Sequence, residues 1–137
     1  MVRTRNAPAG DYAEYLVSIA LDGKLEPNSN RSWDVTTGSG KRVQVKSRVV
    51  GPLTAQSATF SVLRSFDFDE CIFIKFDQGT YGVMSAVGLP AQSVQAIARF
   101  RSHVRGSSVR IGQNLLALDG ARDLTDLVRT AASSPFG

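Results

Sequence analysis

Residues 33–50 read WDVTTGSGKRVQVKSRVV, two β-rich runs separated by the tripeptide at positions 38–40. Glycine and serine between two such runs are typical of the loop of a β-hairpin. The sequence therefore predicts a first strand over residues 33–37 and a second strand over residues 42–50. The other elements are placed relative to this hairpin.

The length of the hairpin loop determines which side chains share a face. With three loop residues, Thr37 lies opposite Lys41 and Asp34 lies opposite Gln44. Gln44 and Lys46 are two residues apart, so they point to the same side of the strand. Asp34, Gln44 and Lys46 then share one face of the hairpin. A loop of two or four residues shifts the register by one and turns Asp34 to the other face.

Hydrophobic spacing predicts the elements on either side of the hairpin. Apolar residues at helical intervals predict three helices, over about residues 10–22, after Pro90, and between residues 124 and 131. A continuous apolar run at 71–76 predicts a central strand that is covered on both faces. Residues 81–87 predict a strand that follows it. We therefore expect an α/β domain.

The composition indicates one globular domain. The chain has 137 residues, of which 42% are hydrophobic and 20% are charged, and we expect a folded unit at about residues 9–132 between short polar ends. Cys71 is the only cysteine and lies in an apolar run. We expect it to be a buried, reduced thiol in a cytoplasmic protein. Because no apolar run is long enough for a signal peptide or a membrane span, we expect no membrane association.

Basic residues outnumber acidic ones, sixteen to twelve, for a net charge of +4. Such an excess suits a polyanionic partner, and clusters without an acidic residue can bracket a phosphate backbone. We expect Arg48 on the side of its strand opposite to Lys46. The alternative interpretation is that the basic residues are ordinary solvated surface. The predicted nucleic-acid-binding residues are Lys41, Arg42, Arg48, Arg99, Arg101, Arg105 and Arg110.

The polar face of the hairpin offers the ligands of a metal-dependent hydrolase. The carboxylate of Asp34, the amide oxygen of Gln44 and the backbone carbonyl of Val45 are hard oxygen ligands of the kind that hold Mg²⁺. Lys46 beside them can orient or help deprotonate an attacking water and offset charge on a phosphorane. These residue types predict the hydrolysis of a phosphodiester.

Glu14 lies on the first predicted helix, and Asp34 and Gln44-Val45-Lys46 lie on the hairpin. In their order and context, these residues resemble those of the PD-(D/E)xK nuclease superfamily. The resemblance covers about residues 9–76 and implies a restriction-endonuclease-like core with a mixed central β-sheet flanked by helices. It also implies that Glu14, Asp34, Gln44 and Lys46 are catalytic. Mg²⁺, or Mn²⁺ in its place, would be held by Glu14, Asp34, Gln44 and Val45. Gln44 stands where the superfamily usually carries an acid, although members resembling the Mrr-type restriction enzymes have QxK.

The function implied by this resemblance is a Mg²⁺-dependent DNA endonuclease, either restriction- or Mrr-like or similar to a Holliday-junction resolvase. Cutting both strands requires two active sites, so we expect a homodimer or a partner subunit. The sequence lacks the Gly-x-x-x-x-Gly-Lys loop of nucleotide-binding proteins, so we expect no nucleotide cofactor. The alternatives are a catalytically inactive DNA-binding module and a subunit of a larger defence or recombination complex.

Overall fold

The computed structural model describes residues 8–27 and 32–133, and the short polar ends expected from the sequence lie largely outside these ranges. Among the described residues, no helix is long and apolar enough to cross a membrane. The helices and strands, in chain order, are α1 (Pro8–Ala20), β1 (Lys24–Leu25), β2 (Val35–Thr36), β3 (Arg42–Val50), β4 (Glu70–Asp77), β5 (Val83–Pro90), α2 (Ala91–Ile97), β6 (Arg99–Arg101), β7 (Gly106–Ser108), β8 (Arg122–Asp123) and α3 (Thr125–Ser133).

The central sheet is mixed, as predicted. Within the described ranges its strands follow the order β1-β2-β3-β4-β5-β8. Only β3 and β4 are parallel, and every other neighbouring pair is antiparallel. Strands β6 and β7 form a separate antiparallel ribbon. The protein is therefore a mixed α/β domain with a central sheet flanked by helices.

Strand β4 separates two hydrophobic cores. Ile72, Ile74 and Phe76 face the core formed with α1 and α3, whereas Cys71 and Phe73 face the core that contains α2. Side chains of a strand alternate between the two sides of a sheet, so a strand covered on both faces is apolar at successive positions. The predictions of a central strand buried on both faces and of a buried Cys71 are confirmed.

Several short strands were not predicted from the sequence. Strands β1 and β8 have two residues each, and β6 and β7 have three each. Segments of this length are too short to show a hydrophobic period. Strand β5 begins at Val83, two residues later than predicted, because the carboxylate of Asp77 accepts the N–H groups of Gly79 and Thr80 and extends the turn.

Helix α1 packs close to the hairpin because of the way it ends. It stops at Ala20, earlier than predicted, in a Schellman motif. Asp22 adopts a left-handed φ of 51°, and the N–H of Gly23 donates to the carbonyl of Ser18 at 2.7 Å. A Cβ on Gly23 would lie 2.7 Å from Cγ1 of Val35. Glycine at this position therefore allows β2 to lie directly against the end of the helix.

Residues 56–63, called here the wall segment, run between β3 and β4 and were not assigned to any element from the sequence. The N–H of Phe60 donates to the carbonyl of Val109 at 3.0 Å. Leu63 and Ser107 exchange backbone hydrogen bonds of 2.8 Å in both directions. The wall segment begins in a turn at Gln56 and Ser57, and isolated bridges at Thr59 and Leu63 hold its remainder beside β7, where it forms one side of the regions described next.

Candidate active site

The hairpin has the loop length on which the predicted site depends. The N–H of Thr37 donates to the carbonyl of Lys41 at 3.0 Å, which leaves three residues in the loop. Gly40, the last of them, has a φ of 89°, as the third residue of such loops commonly does. The register of β2 against β3 agrees. The three-residue loop is confirmed, and it brings Asp34 beside Gln44.

Asp34 ends the regular pairing of β2 with β3. Its N–H donates to the carbonyl of Val43 at 2.8 Å, and its carbonyl accepts the N–H of Glu26 at 2.8 Å. Its carboxylate Oδ2 accepts the N–H of Val45 at 2.8 Å. The carboxylate thus takes the place that a strand carbonyl would have, which explains why β2 is shorter than predicted. Three hydrogen bonds hold Asp34 in position.

Beyond Asp34, the edge of β3 that faces β2 is open to a cleft. The N–H and C=O of one strand residue point to the same side. The carbonyl of Val45, the predicted backbone ligand, therefore points to the edge where its N–H meets Asp34. By the same alternation, the backbone groups of Ser47 and Val49 face this edge, and no strand within the described ranges pairs with them there.

Gln44 is only 4% exposed. Its Nε2 donates to the carbonyl of Ser32 at 2.9 Å, and its Oε1 lies 3.3 Å from the N–H of Val45. A carboxylate cannot donate to a carbonyl, and a buried charge that faces one is costly. The hydrogen bond to Ser32 therefore explains why an amide, and not a carboxylate, occupies this position. Its oxygen is a neutral donor toward a metal.

Lys46 is held between the wall segment and the acidic side of the cleft. Its Nζ donates to the carbonyl of Val62 at 2.7 Å. Burial lowers the pKa of Lys46 from its ordinary value of 10.5, and the negative charges of Asp34 and Glu14 act in the opposite direction. The ammonium is thus poorly hydrated, and an additional negative charge beside it would be stabilising.

The four predicted catalytic residues line one cleft of about 550 Å³. Asp34, Gln44 and Lys46 come from the hairpin. Glu14 comes from α1, which packs on the other face of the sheet, and it reaches the cleft where the short β2 leaves the edge of β3 open. The tertiary structure therefore groups side chains that are as much as 32 residues apart in sequence.

The oxygen atoms in this cleft fit a hard divalent cation in kind. Two carboxylates, Glu14 and Asp34, the amide oxygen of Gln44 and the carbonyl of Val45 are the ligand types that Mg²⁺ binds. Only the two carboxylates of this set are charged. Among the described residues, no cluster of three or more His, Cys, Asp or Glu is placed to hold a metal ion.

Two of the predicted nucleic-acid contacts have acidic partners in the same chain. Nζ of Lys41 lies 3.2 Å from the buried carboxylate of Glu70. The guanidinium of Arg42 lies 2.7 Å from Asp67 and 3.3 Å from Asp69. These ion pairs fix the hairpin to the start of β4. They also reduce the positive field that Lys41 and Arg42 offer to a nucleic acid.

Arg48 lines the same cleft as Lys46. Its Nη1 donates to the carbonyl of Thr59 in the wall segment at 3.3 Å. The expectation that Arg48 lies opposite to Lys46 is wrong, because residues two apart in a strand share a face. Arg48 therefore extends the positive charge of Lys46 along one side of β3.

Three of the predicted nucleic-acid contacts meet in a second cavity, called here the arginine pocket. Arg99 and Arg101 of β6 line it together with Arg110, and its volume is about 390 Å³. No acidic residue lines it, and none of the three forms an ion pair with a described residue. Arg105 lies on the turn of the ribbon, with a φ of 51°, and does not line the pocket.

The wall segment is the part of the site that sequence reasoning missed. Ser61 lines the cleft, Val62 holds Lys46, and Thr59 lines the arginine pocket. Polar side chains alternate with Phe60 here, which is a weak strand signal. Its backbone pairs with Ser107 and Val109, which lie more than 40 residues further along the chain. The sequence alone therefore did not indicate what this segment contacts.

Comparison of the chain with models of protein families gives no match, and comparison with curated proteins gives none.

Proposed function

We propose that this protein is a Mg²⁺-dependent DNA endonuclease with a restriction-endonuclease-like core of the PD-(D/E)xK type. The observation that carries the proposal is the convergence of Glu14, Asp34, Gln44 and Lys46 in one cleft, from α1, from the end of β2 and from β3. A helix followed by a hairpin in a mixed sheet is the context in which the superfamily carries these residue types.

Each residue of the cleft has a separate task in this proposal. Glu14, Asp34, Gln44 and the carbonyl of Val45 would hold Mg²⁺, with Mn²⁺ able to substitute. When bound, the cation supplies polarisation of a phosphoryl oxygen and acidification of a water molecule. Lys46 orients the attacking water and offsets the negative charge that develops on the phosphate. The contact with Val62 holds the ammonium in place for this task.

The proposed substrate is DNA, bound through Arg48 and the arginine pocket. The charge of these four arginines is not balanced by an ion pair with a described residue, so it can attract phosphates. Both a restriction- or Mrr-like enzyme and an enzyme similar to a Holliday-junction resolvase are compatible with this surface. A homodimer or a partner subunit would supply the second active site.

A second candidate is a catalytically inactive DNA-binding module, alone or as a subunit of a larger defence or recombination complex. The observation that favours it is Gln44, whose amide is engaged with the carbonyl of Ser32. With only two carboxylates in the cleft, a cation is held less strongly than in a three-carboxylate site. Such a module would bind DNA equally well with or without a divalent cation.

The proposal is tested by incubating supercoiled, linear and four-way-junction DNA with the protein in Mg²⁺, Mn²⁺ or EDTA. Wild type is compared with Asp34→Asn, Lys46→Met and the control Lys24→Ala, which removes an exposed charge on β1. Asp34→Asn keeps an oxygen that can accept the N–H of Val45, so it removes the charge while preserving the hydrogen bond.

We expect cleavage only with a divalent cation, and a loss of about 100-fold or more in Asp34→Asn and Lys46→Met. Lys24→Ala should cleave like wild type. Cleavage in EDTA, or undiminished cleavage by both cleft variants, would contradict the proposal. DNA binding without cleavage on any of the three substrates would favour the inactive module.

A further inference from the structure

The wall segment carries a row of hydroxyl groups that leads from the arginine pocket to the cleft. Ser57 and Thr59 line the pocket, and Ser61 lines the cleft. Residues two apart in an extended segment share a side. Ser57 lies in the turn at the start of the segment, so the fully extended rise of about 3.3 Å per residue makes about 13 Å the upper limit of the distance from Ser57 to Ser61. Arg48, which lines the cleft, donates to the carbonyl of Thr59 and so connects the two regions.

The lining of the arginine pocket is complementary to phosphate. Three guanidinium groups in one cavity repel one another, and an anion between them removes this repulsion. Guanidinium groups match the geometry of phosphate oxygens, and hydroxyl groups donate further hydrogen bonds to them. Ser108, which lies opposite Arg99 in the ribbon, and the amide of Gln113 add such donors. The pocket thus combines positive charge with neutral donors.

We propose that the arginine pocket binds a backbone phosphate of the same DNA strand whose scissile phosphate occupies the cleft, an inference that rests on the proposed function. The hydroxyl row of the wall segment lies under the strand between the two sites. Phosphates of one strand follow one another at about 3.4 Å along the helix axis. Because the strand winds around the axis, neighbouring phosphates lie about 7 Å apart through space, so a separation of up to about 13 Å corresponds to about two phosphate steps.

This arrangement defines the class of substrate. A polynucleotide with a flank of about two nucleotides on one side of the scissile bond uses both sites at once. A mononucleotide ester or a dinucleotide is too short to do so. The structure therefore favours long DNA over small phosphodiesters, and it assigns the discrimination to Arg99, Arg101 and Arg110.

Binding of a labelled DNA duplex in EDTA over a series of salt concentrations tests the pocket without any cleavage. Arg99→Ala and Arg101→Ala should each weaken binding about tenfold. Each should also reduce the slope of log K against log salt by about 0.9. Arg99→Lys, which keeps the charge, should restore most of the slope. The matched control is Lys24→Ala, for which we expect the wild-type slope. Equal slopes for the arginine variants and Lys24→Ala would overturn the inference.

A length series tests whether the cleft and the pocket hold one strand. Single-stranded competitors of about two to about twelve nucleotides cover the range over which both sites become occupied. Wild type should gain affinity once the oligonucleotide has about three phosphates, and Arg101→Ala should not. If a dinucleotide distinguishes the two proteins as strongly as a long strand does, the pocket binds an isolated phosphate and the inference is wrong.

These outcomes are independent of those that test the nuclease. Binding that depends on the arginine pocket, in a protein that never cleaves, would disprove the proposed catalysis and leave the pocket as a phosphate site. Metal-dependent cleavage that is insensitive to Arg99→Ala and Arg101→Ala on long and short DNA would overturn the inference and leave the proposed catalysis intact.

Discussion

Two residues of the cleft, Asp34 and Gln44, show how local hydrogen bonds set the chemistry. Asp34 caps the N–H of Val45 with its carboxylate, so it serves the fold and the proposed metal site together. The side chain of Gln44 donates to the carbonyl of Ser32, which a carboxylate could not do. The carboxylate of Asp34 bonds to the backbone of β3, and the amide of Gln44 bonds to the backbone of the chain just before β2. These two hydrogen bonds hold the residues beside each other.

Lys46 gives a prediction on pH and stability. Its pKa is lowered by burial from 10.5 in the folded protein. Between the lowered value and 10.5, the unfolded chain binds a proton that the folded chain does not, so stability rises with pH. The free energy of unfolding of wild type should therefore increase relative to that of Lys46→Met as pH rises toward 10.5.

Urea denaturation of both proteins between neutral pH and pH 10.5 checks this prediction. Titrating groups far from Lys46 contribute equally to the two chains and cancel in the difference. The buried thiol of Cys71 interacts with Lys46, so the comparison is made with Cys71→Ala in both chains. A difference that does not change with pH would show that burial leaves the pKa of Lys46 unshifted.

At the scale of secondary-structure elements, one buried carboxylate connects three parts of the sheet. Glu70, at the start of β4, is 3% exposed. It accepts two hydrogen bonds from Arg122 of β8, at 2.9 and 2.7 Å, and forms an ion pair with Lys41 beside the hairpin loop. A Cβ on Gly88 of β5 would lie 2.5 Å from its Oε2, so glycine there makes room for the carboxylate. The network anchors the hairpin that carries the cleft residues.

Removal of this charge should destabilise the protein at neutral pH. Glu70→Gln is expected to lower the free energy of unfolding by about 1–3 kcal/mol. The effect should lie at the low end of that range, because the side chains of Lys41 and Arg122 are themselves 39% and 46% exposed.

The pH dependence of this loss follows from the pKa of Glu70. Burial raises that pKa, but hydrogen bonds and charge from Arg122 and Lys41 outweigh burial and hold it below its ordinary value of 4.5. Stability from Glu70 is therefore complete above pH 4.5 and is lost as pH falls through the lowered value. Thermal unfolding of wild type and Glu70→Gln should converge under acidic conditions. A constant gap down to pH 3 would contradict this explanation.

At the scale of the whole molecule, the cleft and the arginine pocket lie on either side of the wall segment. The described part of the chain carries one such cleft, so under the proposed function one copy would hydrolyse one strand at a time. Cutting of both strands then requires a second copy or a partner subunit.

The dependence of cleavage on protein concentration tests this requirement. Conversion of supercoiled to nicked circles should rise in proportion to protein, whereas the direct formation of linear DNA should rise with about the square of its concentration. Asp34→Asn mixed with wild type should shift the products from linear toward nicked DNA. Linear product that rises only in proportion, with no accumulation of nicked circles, would show that a pre-formed assembly cuts both strands.

The sequence by itself determined the elements whose signals are local. The loop at 38–40, the alternation along β3 and the apolar run of β4 depend on residues within a few positions of one another. The length and spacing of these segments were therefore predictable. The same alternation placed Gln44 and Lys46 on one side of β3, whereas Asp34 joins them because the loop has three residues, a length that the sequence left open.

Only the tertiary structure decided the contacts between distant segments. It brought Glu14 from α1 to the open edge of β3, and it gave Lys41 and Arg42 acidic partners in β4 and in the chain just before it. It also placed the wall segment between the cleft and the arginine pocket. Such contacts depend on how whole elements pack and on where each short strand ends, and neither leaves a period in the sequence.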